Sequence, residues 1–386
     1  MAAPGTAPIP IVLETAKGSS TVATDSLLTA MLRSHGQVSD LIFSPGRLPQ
    51  VEILGQLTAV QSPGLSPLTA DDTRRIASDL IGNNKQAIAT LREQGSCDVS
   101  FALPGLARFR VNVFIQRGSC AVVMRVIPTA IPDLASLGLP AQLSEIATLR
   151  DGIVLVTGPR GSGKSSTLAA LLDLINREQV CHIITIEDPI EFLHNHKRAT
   201  IHQRELHSDT PSMPLALRAA LRQAPNVIFV SELRDRETAE MALEAAETGH
   251  LVLSSLNTLD TTQTWERIAG FFSVPEQSGI RSRLAKAVRY MVSQRLLPRR
   301  DGRQRVPVVE ILKVRPGTME GTDGNEFSSQ TVLQTLKNGS SEGMQHFDGE
   351  IEKLVRANIV DLKTAMTYAT DPQQLRQALL DFRLQN

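Results

Sequence analysis

The run "GPRGSGKSS", Gly158–Ser166, constrains this chain more than any other stretch. It fits G-x-x-x-x-G-K-[ST] through Gly158, Gly163, Lys164 and Ser165, follows the apolar "GIVLVT" and opens the helix-like "SSTLAALLDLI". That context makes it a phosphate-binding loop between a strand and a helix. Its backbone N–H groups, with Gly161, Ser162 and Ser166 inside the turn, can curl around phosphate oxygens at a helix N-terminus. Lys164 is expected to reach the β and γ phosphates and the Ser165 hydroxyl to hold Mg²⁺, so the expected ligands are ATP and Mg²⁺.

Apolar runs at Ile153–Thr157, Ile183–Ile186, Val227–Val230 and Leu251–Ser255 alternate with amphipathic segments such as "DRETAEMALEAAET". This alternation predicts an α/β domain with a largely parallel sheet covered by helices. From about Arg281 the chain reads as mostly helical. Upstream, the helical "DSLLTAMLRSH" precedes short strand candidates in "SDLIFSP", "PQVEILGQL", "CDVSFALPG", "ARFRVNVFIQ" and "CAVVMRVIP". A small domain with an antiparallel sheet is expected there. The expected order is a flexible tail (1–24), an N-terminal domain (25–128), a Pro-rich linker (129–144) and the phosphate-loop domain (145–386).

Carboxylates end two of the apolar runs: Glu187, Asp188 and Glu191 in "TIEDPIEF", and Glu232 in "VIFVSELRD". Beside a phosphate loop, acids at strand ends can bind Mg²⁺ or orient the attacking water. The residues alone do not choose between Glu191 and Glu232 for the second task. In "GHLVLSSLNTLDTT", His250 opens an apolar run and Asn257 follows it.

The 40 basic and 40 acidic residues cancel, and only 4% of residues are aromatic. Binding of nucleic acid by bulk charge or base stacking is therefore disfavoured. Three scattered cysteines exclude a zinc or disulfide framework and suit a reducing compartment. Neither a signal peptide nor a membrane-spanning stretch is evident, so a cytoplasmic location is expected.

Taken together, "SDLIFSPGRLP", "PGLARFRVNVF", "GPRGSGKSSTLAALLD", "HIITIEDPIEF", "QREL", "ALRAALRQAPNVIFVSELRD", "AETGHLVLSSLNT" and "GMQHFD" resemble the secretion-type ATPases that power type IV pili and type II secretion. Within that family the chain is most similar to the pilus retraction branch, PilT and PilU. The resemblance implies a PAS-like N-terminal domain joined to a RecA-like ATPase domain, assembled as a homo-hexamer. It assigns Gly158–Ser166 to Walker A, makes Glu191 the water-activating carboxylate and Glu232 the Walker B glutamate, and adds Asp188 as a metal-side acid. It makes His250 the first histidine of a histidine box, with a catalytic role. Arg108, Arg110 and Arg125 match arginines sent to a neighbouring subunit's nucleotide. The implied partners are an inner-membrane platform protein, at whose face the ring would sit peripherally, and a second retraction ATPase.

Three departures from the family pattern stand out. Asn257 replaces the second histidine of the box; it can hydrogen-bond a phosphate or a water but carries neither proton nor charge. Ser231 stands where Walker B has glycine, and Asn226 replaces an aspartate before the same strand. "VEILKVRPGTMEGTDGNEFSSQ" reads as a loop where retraction motors carry a helix. These features keep an accessory, PilU-like role open, and a nucleotide-binding subunit of weak turnover. A RecA-like nucleic-acid motor is the rival from another class. Its support is the basic run Arg281–Arg305, for which a charged helix face or subunit interface is the simpler reading.

Overall fold

The computed structural model describes residues 8–13, 23–53, 55–127, 130–302, 305–314 and 329–383. Contacts divide the chain into two units, Met1–Ala130 with Glu191–Leu193, and Ile131–Ile190 with His194–Asn386.

The first unit contains β1 (Ile9–Pro10), α1 (Thr24–Arg33), β2 (Val38–Phe43), β3 (Gln50–Ile53), β4 (Gln56–Gln61), α2 (Ala70–Ile81), α3 (Lys85–Gln94), β5 (Ser96–Leu103), β6 (Ala107–Gln116) and β7 (Ser119–Ile127). Its sheet runs β1-β4-β3-β2-β7-β6-β5. All ladders are antiparallel except β1–β4. Arg117 and Gly118, both at positive φ, close the β6–β7 hairpin, the geometry that matches the twist of paired strands. Phe109, Val111 and Val113 alternate inward and pack with Leu28, Met31 and Ile76 of α1 and α2. The tail expectation needs correcting at residues 8–13. Ile9 pairs with Val60, and Ile11 is buried in this core, because the segment's alternate apolar residues complete a sheet edge.

In the second unit a 3₁₀ segment (Ala141–Thr148) leads into β8 (Gly152–Thr157), α4 (Lys164–Glu178), β9 (His182–Glu187), β10 (Thr200–Glu205), α5 (Met213–Ala220), β11 (Val227–Val230), α6 (Arg236–Glu247) and β12 (Leu251–Leu256). There follow α7 (Thr261–Ala269), α8 (Val274–Ala287), β13 (Val288–Pro298), β14 (Arg305–Lys313), α9 (Ser329–Asn338), α10 (Phe347–Arg356), α11 (Leu362–Tyr368) and α12 (Pro372–Arg383). The sheet order is β10-β9-β11-β12-β8-β13-β14, parallel up to the final antiparallel pair. β8, β11 and β12 are buried throughout, as a parallel sheet covered on both faces requires. Ile184, Ile186, Ile228 and Val252 face α5 and α6, whereas Val154, Val156, Phe229 and Leu253 face α4 and the 3₁₀ segment.

Two further expectations change. Leu139, Leu143 and Ile146 are buried in the α4-side layer, so the end of the Pro-rich stretch belongs to this unit's core. The region after Arg281 is only partly helical. "VRYMVSQRLLP" forms β13, paired with both β8 and β14, because its backbone groups complete the sheet and outweigh the helix-like charge pattern. α10, α11 and α12 then gather around Phe347, Ile351 and Leu375. The Gly-, Asp- and Thr-rich segment read as a loop falls at 315–328, outside the described residues.

Candidate nucleotide site

The site is built at the carboxyl ends of the parallel strands, where open α/β sheets bind ligands. In register, Thr157 pairs with Leu256, Ser254 with Val230, and Val230 with Ile186. Four chain segments therefore emerge side by side: Gly158 after β8, Asn257 after β12, Ser231–Glu232 after β11 and Asp188 after β9.

The phosphate loop lies between β8 and α4. Gly158, Gly161 and Gly163 have φ of 143°, 76° and 92°, a region that side chains disfavour. A Cβ on Gly158 would sit 2.3 Å from the Gln294 carbonyl oxygen, and one on Gly163 would sit 2.7 Å from Gln294 Nε2. Gln294, on β13, braces the loop. Its Nε2 donates to the Ser162 carbonyl at 2.7 Å, and its Oε1 accepts from Thr167 Oγ1 at 2.8 Å. Below it Thr157 Oγ1 donates to Ser293 Oγ at 2.9 Å. Lys164 Nζ donates to the carbonyls of Gly158 and Pro159 at 2.8 and 3.0 Å, which holds the ammonium against the loop. Ser162 Oγ is buried without a hydrogen-bond partner. Such a cradle of curled backbone, ammonium and unused hydroxyl fits a polyphosphate.

Opposite the loop, Glu232 is held at both oxygens. Asn257 Nδ2 donates to Oε1 at 2.6 Å, and Arg234 Nε donates to Oε2 at 2.9 Å. Arg234 Nη1 reaches Asp188 Oδ2, also at 2.9 Å. One guanidinium thus gathers the two acids expected to serve Mg²⁺, and its hydrogen bond to Glu232, then that residue's charge and the hydrogen bond to and charge of Asp188, raise its pKa. Hydroxyls fix the strands beneath: Ser254 Oγ donates to the Val230 carbonyl and Ser255 Oγ to the Ser231 carbonyl, both at 2.6 Å. With Ser165 at the loop, the oxygen donors suit a hard cation that keeps water and phosphate ligands.

Other expected residues go elsewhere. Glu187 is buried and accepts from Thr185 Oγ1 and Gln203 Nε2, so it belongs to the sheet. His250 lies at the other end of β12 from Asn257. Its Nδ1 lies 3.0 Å from the Ala245 carbonyl and 3.3 Å from Thr248 Oγ1, closing the end of α6, and its carbonyl accepts from Gly152 at the start of β8. The six residues of β12 separate it from Asn257. At about 3.3 Å per residue that is roughly 20 Å, too far for a role in this subunit's phosphate chemistry. Asn226 Oδ1 accepts from the His182 N–H at 2.9 Å, aligning the starts of β9 and β11. Ser231 adds a buried hydroxyl without a partner beside Glu232.

Glu191 is exposed and falls in the segment grouped with the first unit. The three arginines also belong to that unit. Arg110 stands directly across from Arg125, and Arg108 lies two residues back on the same face of β6. Like charges placed so repel. Asp40, 3.0 Å from Arg125, and Asp98, 3.9 Å from Arg110, offset the repulsion.

Several arginines of the basic run after Arg281 pair with acids of the same chain. Arg283 makes two 2.8 Å bonds to Glu247, Arg281 pairs with Glu266 and Arg289 with Asp151. Arg295 lies over the Phe347 ring at 3.8 Å, and burial lowers its pKa. These pairings reduce the charge available to follow a phosphate backbone.

A parallel sheet with a phosphate loop after one strand and a glutamate after another defines a P-loop ATP hydrolase with a RecA-like core. Residues 61–379 match the model of the type II/IV secretion system proteins, and the chain belongs to that family. Over 335 residues, 87% of this chain and 95% of the relative, it is 37% identical to the "Type IV pilus retractation ATPase PilT" of Pseudomonas aeruginosa. It is 35% identical over 352 residues to the "Type IV pilus ATPase PilU" of the same organism, covering 91% of this chain and 90% of that one. Among solved structures it superposes on the pilus retraction motor PilT with bound ADP at a TM-score of 0.77. Sequence identity there is 39%, over 88% of this chain and 95% of the other.

Proposed function

We propose that this chain is the ATP-hydrolysing subunit of a hexameric motor of the type IV pilus machinery, powering or assisting pilus retraction from the cytoplasmic face of the inner membrane. The observation that carries this reading is the convergence of Glu232, Asp188 and Asn257 on strand ends beside the Lys164 loop. That convergence occurs in a chain alike over most of its length to a retraction motor.

The loop N–H groups and Lys164 bind and orient the phosphates. Mg²⁺, when bound, neutralises charge on the transferring phosphoryl group. Ser165 and Glu232 would hold it, with Asp188 in support, once Arg234 turned aside from the two acids. Glu191 orients the attacking water. Arg110 and Arg125, with Arg108, supply cations to a neighbouring subunit's nucleotide. ATP binding and release then drive conformational change in the ring, and this motion turns a membrane platform protein.

Asn257 favours a second form of the reading, an accessory motor beside a main retraction ATPase. Deletion of the gene, with counts of surface pili and twitching, tests both. Excess pili with lost movement support the main role, and weakened retraction under load with normal pilus numbers supports the accessory role. Loss of pili points to assembly and contradicts both.

A further inference from the structure

A second polar site lies at the opposite end of the sheet from the phosphate loop. Four of the chain's eight histidines, His182, His194, His196 and His202, line one open pocket of about 660 Å³ beside β9 and the edge strand β10. None of them has a task in nucleotide chemistry. His182 opens β9, five residues before Glu187, so it lies about 17 Å from the acidic end of the strand.

Two of the rings face each other. His182 Nε2 is 2.9 Å from His202 Nδ1, with the ring planes at 89°. His202 pairs with Ile184, which sets it diagonal to His182 on one face of the sheet. The other ring nitrogen of His182, Nδ1, lies 3.2 Å from the Ala224 carbonyl oxygen. A carbonyl only accepts, so Nδ1 carries the proton and Nε2 presents its lone pair. This is the arrangement of a metal-ligating histidine, whose second N–H is fixed by a backbone carbonyl. His202 Nδ1 then either donates a proton into that lone pair or presents a lone pair of its own beside it. His196 Nδ1 accepts from the Ile201 N–H at 3.1 Å, so its Nε2 carries a proton and is left to donate. His194 is enclosed and stands 4.0 Å from Asp173, outside the facing pair.

We propose that His182 Nε2 and His202 Nδ1 form a binding site for one divalent transition-metal ion of the Ni²⁺ or Cu²⁺ type, which takes the place of the proton shared between the rings. With metal–nitrogen bonds of about 2.0–2.1 Å, two ligands at a right angle stand about 2.9 Å apart, whereas a tetrahedral ion separates them by about 3.4 Å. The observed 2.9 Å is the length of a hydrogen bond between the rings, and it also equals the ligand spacing of a square or octahedral ion, so such an ion needs the rings to turn but not to part. Each ring must tilt by roughly 45° to aim at a common point. His202 is exposed and His182 half-buried, which leaves room for that movement and for water in the remaining positions. Among the described residues no three His, Cys, Asp or Glu side chains already surround one point. The ion is therefore held by two imidazoles and water, and His196 donates from Nε2 to one of those waters.

The test is titration of the full-length protein with Cu²⁺, Ni²⁺ and Zn²⁺ at neutral pH, followed by calorimetry and, for Cu²⁺, by electron paramagnetic resonance. One site per chain is expected, with two nitrogen ligands in the Cu²⁺ spectrum and Ni²⁺ bound more tightly than Zn²⁺. His202→Asn, at an exposed position, should weaken Cu²⁺ binding at least 30-fold and remove one nitrogen. His182→Asn should do the same, and His207→Asn, outside the pocket, should change neither. Bound Cu²⁺ should leave ATP affinity unchanged, which separates this site from the nucleotide site. Unaltered affinity and nitrogen count in His202→Asn, or tighter binding of Zn²⁺ than of Ni²⁺, would overturn the proposal.

Discussion

Asn257 Nδ2 donates to Glu232 Oε1 at 2.6 Å, so the residue that stands where a second histidine was expected holds the glutamate expected to serve Mg²⁺. The amide keeps one oxygen of Glu232 fixed while Arg234 holds the other. It does so without a titratable proton, so the contact is the same at every pH near neutrality.

Removing that contact should affect turnover more than binding. A hydrogen bond to a charged group is worth about 1.5–3 kcal/mol, so Asn257→Ala should lower kcat roughly 10- to 100-fold. The KM for ATP should change less than about 3-fold, because Asn257 lies across from the phosphate loop rather than in it. Steady-state ATPase assays at saturating Mg²⁺ measure both.

Asn257→His returns a group that titrates near 6.5. Between pH 5.5 and 8 the variant's kcat should acquire an inflection that the wild type lacks. Equal pH profiles would show that residue 257 does not touch the reacting groups.

Gln294 is predicted to carry the phosphate loop. Gln294→Ala leaves the Thr167 hydroxyl and the Ser162 carbonyl without their buried partner. At about 1–3 kcal/mol for each such loss, melting should fall by several degrees and ATP affinity about 10-fold. Thermal unfolding with and without Mg-ATP separates the two effects.

His194 makes stability depend on pH. Burial holds its pKa down at about 4, against 6.5 for an exposed histidine. Between those values the unfolded chain binds the proton and the folded chain does not, so stability rises with pH. The contribution is complete above 6.5 and is lost as pH falls toward 4; the difference is worth about 3 kcal/mol. His194→Gln should flatten that part of a denaturant-midpoint profile. An unchanged slope would assign the acid sensitivity to other groups.

The pairing of Arg281, Arg283 and Arg289 with acids predicts no salt-sensitive DNA binding. Filter binding at 50 and 200 mM salt should show weak retention at both, whereas a steep fall with salt would revive the nucleic-acid reading.

The parts of this molecule legible in the sequence are those where local pattern and tertiary role agree. β8, the phosphate loop and α4 are adjacent in the chain, so a single window holds strand, glycines and helix. Glu232 and Asp188 stand out in the sequence because each comes two residues after the last apolar residue of a buried run. His250 and Asn257 are harder to place from sequence because one motif spans a whole strand: the two residues sit at opposite ends of β12, and only Asn257 contacts Glu232. Gln294 was missed because it stands among arginines in a stretch with helical charge spacing. Ser293 and Gln294, beside Arg295 in the mainly apolar "YMVSQRLL", were the available signal, since both are buried and must have partners. The strand at Ile9 went unseen because two residues are too few to show alternation, and its pairing with β4 is set by residues far along the chain.

The central claim is that Glu232, held by Asn257, organises Mg²⁺ and water for ATP hydrolysis. It is tested most directly by comparing ATP turnover and ATP binding of the wild type with those of Glu232→Gln. The account predicts Mg²⁺-dependent hydrolysis by the wild type, and a variant that binds ATP with similar affinity but turns it over at least 100-fold more slowly. A wild type no faster than Glu232→Gln would contradict it.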